Sequence, residues 1–252
     1  MTAVEHKFFE RNGYLVVKDA LTPDEIAFYQ GIYDRDRKDT AYFWREIGHG
    51  EHQTVNCDSL VSSPEFDQLI RHPMLLPRVE TLLGGPACLA EICLRHMRPH
   101  REEPVQKWHR DAPHALSHPL RAGWIHLLIY LSDVDDNTHC FSISPEACDD
   151  PILDQDAQLA QKGAVDIHGA AGTAVLFNLS VLHTANVRQT DFERKTVQTY
   201  YGPRSGPILS HYSLVPTELW RDHPNTEVRA FYGNLNDKSK RYAARFSNLG
   251  KQ

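Results

Sequence analysis

The apolar positions of this chain recur at two periods, and the change from one to the other falls near residue 87. Before it the spacing is helical. Thr22-Pro23-Asp24-Glu25 offers an N-cap, a proline in the first turn and early acidic residues, which predicts a helix from 22 to about 37. Leu75, Leu76, Val79, Leu82 and Leu83 repeat every three or four positions until Gly84-Gly85-Pro86, predicting a second helix inside 73–83. A shorter amphipathic stretch from residue 5 ends at Asn12-Gly13 and leads into Tyr14-Leu-Val-Val. Beyond 87, short segments alternate with period two between turn residues. They predict strands at 89–97, 124–131, 140–144, 164–167, 174–178 and 195–201, with turns at 133–138 and 169–172. The expectation is a mostly β protein, either two antiparallel sheets folded over each other or a closed barrel, with the N-terminal helices packed outside one sheet.

The length, 252 residues without a repeat or a linker-like tract, fits one domain. Its parts would be a helical portion at about 1–86, a β core at about 87–204, and C-terminal loops with a short helix near 217–221 at about 205–252. No apolar run is long enough to cross a bilayer, so no membrane role is expected. The first residues lack the basic-then-apolar layout of a signal peptide, which makes the cytoplasm the expected compartment. Cys57, Cys88, Cys93, Cys140 and Cys148 are odd in number and show no CxxC spacing, so they read as reduced, mostly buried thiols. With a net charge of −6 and basic residues scattered along the chain, nucleic-acid binding has no electrostatic support. The sequence leaves oligomeric state unspecified.

The chemistry concentrates at three places. In Gln106-Lys-Trp-His-Arg-Asp-Ala-Pro113, His109 and Asp111 stand two apart, so in extended backbone both side chains leave one face. The predicted strand 174–178 delivers the chain to Leu182-His183-Thr184, and a second imidazole there completes a facial triad of two His and one carboxylate. Such a triad leaves open positions on iron(II) for 2-oxoglutarate and dioxygen. Arg194 follows eleven positions after His183. A turn at 186–191 would let the next strand return as a hairpin partner and aim Arg194 into the same cavity. A guanidinium can donate two parallel hydrogen bonds to the distal carboxylate of 2-oxoglutarate, which lysine cannot. With Arg194 inward, Thr196, Gln198 and Tyr200 share its face. On the strand 124–131, Ile125, Leu127, Ile129 and Leu131 form the core face. Trp124 and His126 lie on the opposite face, and His126 is a candidate substrate contact.

On these motifs the sequence resembles the phytanoyl-CoA dioxygenase-like branch of the iron(II)- and 2-oxoglutarate-dependent oxygenases. The resemblance rests on Phe8-Phe9-Glu-Arg-Asn-Gly-Tyr-Leu-Val-Val, Trp-His-Arg-Asp at 108–111, Gly-Thr-Ala-Val-Leu-Phe at 172–177, and the spacing from His183 to Arg194. It implies a double-stranded β-helix, the jelly-roll core of cupins, with iron(II), 2-oxoglutarate and oxygen as reactants and ascorbate as a stimulant. It also implies that Gln106 contacts 2-oxoglutarate and that Trp124 lines its pocket. The chain departs from the family at Asn137-Thr138-His139-Cys140 and at Pro145-Glu146-Ala147, where the family usually carries Asn-Gly and Pro-Gly-Ser-His.

The expected function is therefore oxidation, by default hydroxylation, of a C–H bond in a small metabolite, as in natural-product biosynthesis. Succinate and carbon dioxide would be released. Desaturation, epimerisation or cyclisation are alternatives on the same metal, and a non-catalytic jelly-roll metal or ligand binder is the alternative from another class. His-Arg-Asp also opens a kinase catalytic loop, but position 116 is Leu rather than the Asn that loop needs. His114, His118, His139, His168 and His211 read as bystanders. Loops at 38–60, 112–122 and 203–240 are expected to frame the mouth.

Overall fold

The computed structural model describes residues 1–46 and 52–246. Local signals set the helices. Thr2 and Thr22 each close a capping box, with Glu5 and Glu25, so the first turns of Ala3–Asn12 and Pro23–Asp39 satisfy their own free amides. Such a cap contributes about 1 kcal/mol. Leu76–Leu83 ends at Gly84, whose φ of 70° is left-handed. Gly13 ends the first helix in the same way, and a Cβ there would lie 2.5 Å from Val181 Cγ2.

The described residues form nine strands: β1 Tyr14–Val17, β2 Gln53–Asn56, β3 Ala87–Met97, β4 Ile125–Tyr130, β5 Cys140–Ile143, β6 Val165–Ile167, β7 Ala174–Asn178, β8 His183–Asn186 and β9 Arg194–Pro203. They form a major sheet of order β1-β7-β4-β9-β3-β2 and a minor sheet of order β6-β5-β8, antiparallel throughout. The fold is the jelly-roll type with flanking helices.

Alternation assigns the two faces of the major sheet. Ile125, Leu127 and Ile129 of β4, with Ile92 and Leu94 of β3, join Tyr29, Ile32, Val79, Leu82 and Phe231 from the helices in the larger core. Each fully buried side chain of this size contributes about 1.5–3 kcal/mol. Leu128, Tyr130, Val175 and Phe177 point the other way and meet Phe141 and Ile143 of the minor sheet in a smaller core. The space that this core leaves unfilled between the sheets becomes the cavity described below.

Several expectations are corrected. β8 does not form a hairpin with β9: it pairs with β5 in the minor sheet, while β9 runs between β4 and β3 in the major one. The chain from 187 to 193 therefore crosses between sheets. The portion before 87 also supplies β1 and β2, the two edges of the major sheet. Among the described residues after 205 there are three helices, Thr217–Trp220, Thr226–Tyr232 and Asp237–Phe246, where loops and one short helix were expected. Among the described residues no helix is long and apolar enough to cross a membrane.

Candidate active site

The segment before residue 112 runs antiparallel beside β8 and extends the minor sheet through bridges at His100–Thr190, Val105–Val187 and His109–His183. His109 and His183 exchange both backbone hydrogen bonds at 3.0 Å, which sets their rings side by side with centroids 4.5 Å apart. Two residues on, the Asp111 amide donates to Leu179 O at 3.1 Å, bringing its carboxylate back to the same point. His109 Nδ1 bonds Lys107 O at 2.8 Å and His183 Nδ1 bonds Val181 O at 2.9 Å. A carbonyl can only accept, so each Nδ1 carries the proton and each Nε2 keeps its lone pair.

Those lone pairs face Asp111. Its Oδ1 is 3.4 Å from His109 Nε2 and its Oδ2 is 3.5 Å from His183 Nε2. Burial pushes the Asp111 carboxyl up, but the two imidazoles beside it more than offset this and hold the group far below the usual carboxylate range. Contact with Asp111 in turn raises His109 against its burial. Without a metal, a proton on an imidazole must relieve the convergence of acceptors. A divalent cation relieves it directly, and the donor set of two imidazoles and one carboxylate, all within 4.8 Å, fits iron(II).

The residue between the ligands is fixed too. Arg110 points away from the cavity and pairs with the buried carboxylate of Glu146, which also holds His114. Its guanidinium further donates to Ser180 O and Leu153 O. Burial raises the Glu146 carboxyl, and the His114 and Arg110 contacts more than offset this and keep it ionised. The departure at Pro145-Glu146-Ala147 thus supplies a clamp for the backbone that carries His109 and Asp111.

A cavity of about 400 Å³ opens from the three side chains between the sheets. Arg194, the first residue of β9, lies in its lining at 2% exposure, and Nε and Nη1 are sealed from solvent without a hydrogen-bond partner among the described residues. A buried cation left without a partner costs several kcal/mol, so this geometry is made for an anion. His126, on the inward face of β4, also lines the cavity. Both ring nitrogens are unpartnered, its ring stacks on Tyr200 at 4.0 Å, and burial pushes its pKa far down, leaving it neutral.

Two residues carried over by resemblance lie elsewhere. Gln106 is exposed and accepts a hydrogen bond from Trp108 Nε1 at 3.0 Å, outside the cavity lining. Trp124 precedes β4 and packs against Gly202, with Ala90 and Leu209 nearby, because the strand end turns it out of the intersheet space. Of the loops expected at the mouth, only Gln53, from 38–60, lines the cavity; 47–51 lie outside the described residues, and 112–122 and 203–240 contribute none of the lining. Sequence reasoning missed Arg95 and Lys107, which do line it. The signal for Arg95 was present in the alternation of Glu91, Cys93 and Arg95 with Ile92 and Leu94.

Residues 9–196 match the family described as phytanoyl-CoA dioxygenase (PhyH). No curated protein sequence matches. Among solved structures, EctD from S. alaskensis in its apoform aligns with a TM-score of 0.69 and 19% identity, covering 91% of this chain and 86% of that one. SnoN, a non-heme alpha ketoglutarate dependent epimerase from nogalamycin biosynthesis, gives 0.65 and 20%, covering 79% and 81%. HygX from Streptomyces hygroscopicus, solved with nickel, 2-oxoglutarate and hygromycin B bound, gives 0.60 and 18%, covering 81% and 88%. At these identities the likeness shows a shared fold.

Proposed function

We infer the roles of individual residues from one premise, that the chain belongs to the phytanoyl-CoA dioxygenase family and is an iron(II)- and 2-oxoglutarate-dependent oxygenase. His109, Asp111 and His183 hold the metal, and Arg194 takes the distal carboxylate of 2-oxoglutarate. The observation that carries this reading is the buried guanidinium of Arg194, whose Nε and Nη1 find no partner among the described residues, in the same cavity as three converging ligand atoms. A metal store has no use for it, which disfavours the non-catalytic alternative. Bound iron(II) supplies oxygen activation coupled to conversion of 2-oxoglutarate to succinate and carbon dioxide.

The protein's own part is placement. The carbonyls of Lys107 and Val181 orient the imidazoles, the minor sheet fixes their separation, and Phe141 and Leu128 give the intersheet space an apolar lining. Neutral His126 offers a hydrogen bond to substrate beside the metal. The substrate is a small-molecule metabolite, and hydroxylation is the default outcome. Epimerisation and ring closure are open on the same site, since structures of the same fold include an epimerase and a carbocyclase. We further propose that the chain works as a single oxygenase domain in the cytoplasm.

The test is succinate release with iron(II), ascorbate, oxygen and 2-oxoglutarate, run with and without pooled metabolites. Succinate that rises with a metabolite fraction and vanishes in His183→Ala supports the reading. Absence of any 2-oxoglutarate consumption in the iron-loaded wild type overturns it.

A further inference from the structure

Arg194 accounts for one guanidinium in the cavity, and a second one is unused. Arg95 projects from the inner face of β3 with Glu91 and Cys93, while Ile92 and Leu94 enter the helix-covered core. Its Nη2 donates to Tyr200 Oη at 3.1 Å, and its Nε is sealed from solvent with no partner among the described residues. Among the described residues no carboxylate lies within the 4.0 Å of an ion pair with it. Glu91, the nearest acid along the strand, accepts from the Cys93 thiol at 2.9 Å instead. Lys107 lines the same cavity from the exposed rim and, among the described residues, likewise has no ion-pair partner.

Charge matching decides what these cations await. The dication and Arg194 carry three positive charges, and Asp111 with the two carboxylates of 2-oxoglutarate carries three negative ones. Metal and co-substrate therefore neutralise that part of the site completely. Arg95 and Lys107 are left over, facing the remaining volume beside Tyr200 and His126. A cation kept from water without a partner is costly, and a planar guanidinium is relieved best by a planar carboxylate.

We infer that the substrate of this enzyme is a small carboxylic acid whose carboxylate is taken by Arg95, with Lys107 assisting at the rim. The inference rests on the roles given above to the triad and Arg194. It makes Arg95 a specificity-determining residue, and it makes the oxidised carbon one that lies between that carboxylate and the metal. The other source of a carboxylate at Arg95 is the metal-bound end of 2-oxoglutarate, and the experiment separates the two.

Calorimetry under anaerobic conditions first measures iron(II), then 2-oxoglutarate, on wild type, Arg95→Gln, Arg95→Lys and Arg194→Met. The iron- and 2-oxoglutarate-loaded proteins are then titrated with benzoate, 3-phenylpropanoate and L-proline, each beside its carboxamide, which has the same shape without the charge. At least one acid is expected to bind wild type roughly tenfold to a hundredfold more tightly than its amide, the range of a charge-assisted hydrogen bond. Arg95→Gln should abolish that preference and Arg95→Lys should keep part of it, with 2-oxoglutarate affinity within about threefold of wild type in both. Acids that bind no better than amides, or a preference that survives Arg95→Gln, overturn the proposal. So does a loss of 2-oxoglutarate affinity in Arg95→Gln, which assigns Arg95 to the co-substrate. Should Arg95→Gln not fold, the wild-type pairs and Arg95→Lys still decide. Failure of the underlying reading shows earlier and separately, as unchanged 2-oxoglutarate binding in Arg194→Met.

Discussion

The two walls of the cavity are built for different partners. The minor sheet, extended by the segment that carries His109, presents the converging imidazoles and carboxylate; the major sheet presents Arg194, Arg95, Gln198, Tyr200 and His126. One wall gathers electron-pair donors around a point, and the other spreads cations and neutral polar groups along β3, β4 and β9. The lesson is that the proposed metal ligands and the two buried guanidinium groups rest on separate sheets, with only Lys107 at the rim joining the anion side from the metal wall, and should fail separately.

The largest expected effect is on the minor wall. His109→Ala, Asp111→Ala and His183→Ala should each eliminate turnover and lower iron(II) affinity beyond measurement, because two ligands hold the ion poorly and leave its geometry undefined. Unchanged iron titrations in all three variants would remove the triad from the description. On the major wall, Arg194→Met should leave iron binding near wild type and weaken 2-oxoglutarate by about 2–5 kcal/mol, the cost of breaking a buried charge pair from one side. Parallel loss of both affinities would show that the walls are not independent.

A third prediction concerns the seam between them. His139 is buried, with Nε2 bonded to Arg98 O at 2.9 Å and Nδ1 accepting from the Arg188 amide at 3.1 Å, so it joins the end of β3 to the chain beyond β8. Burial pushes its pKa down to about 4 from 6.5. The unfolded chain therefore binds a proton first as pH falls, and stability should drop between about pH 6.5 and 4 by roughly 3 kcal/mol. Urea unfolding at several pH values compares wild type with His139→Gln, whose acid limb should be shallower; coincident limbs would acquit this histidine. The smallest effect is expected outside the cavity. Glu146→Gln removes the ionised partner of Arg110 and should cost about 1–3 kcal/mol of stability and loosen iron(II) by a smaller factor. No change in either would mean that the clamp behind the ligands is dispensable.

Much of this arrangement was legible beforehand, and the gaps have physical causes. Period two located β3, β4, β5, β6, β7 and β9 to within a few residues: the first five carry an apolar face, and β9 alternates a polar face led by Arg194 with one that buries Val197 and Tyr201. β2 and β8 were not read as strands because Gln-Thr-Val-Asn and His-Thr-Ala-Asn have almost no apolar alternation; Gln53, His183 and the small Ala185 line the cavity where a core strand would carry large apolar side chains. The grouping of His109 and Asp111 with His183 and Arg194 was read from two short spacings, two residues within the first pair and eleven within the second. The hairpin expected to bring Arg194 in did not form, and Arg194 reaches the same cavity from the opposite sheet. Gln106 and Trp124 had support only from resemblance, which fixes a position in a motif without fixing where the local backbone turns the side chain.

The crossing from β8 to β9 has one more consequence. Val187 is tied to Val105, Thr190 to His100, and Arg194 to Met97, so the separation of His183 and Arg194 is set by two facing sheets rather than by a free loop. If the triad and Arg194 grip opposite ends of the co-substrate, this span acts as a length gauge. A keto diacid one methylene shorter or longer cannot engage both ends without moving a sheet, and packed sheets resist such movement. The enzyme should therefore ignore oxaloacetate and 2-oxoadipate in a cell that contains them, and couple its oxidation to the five-carbon acid alone.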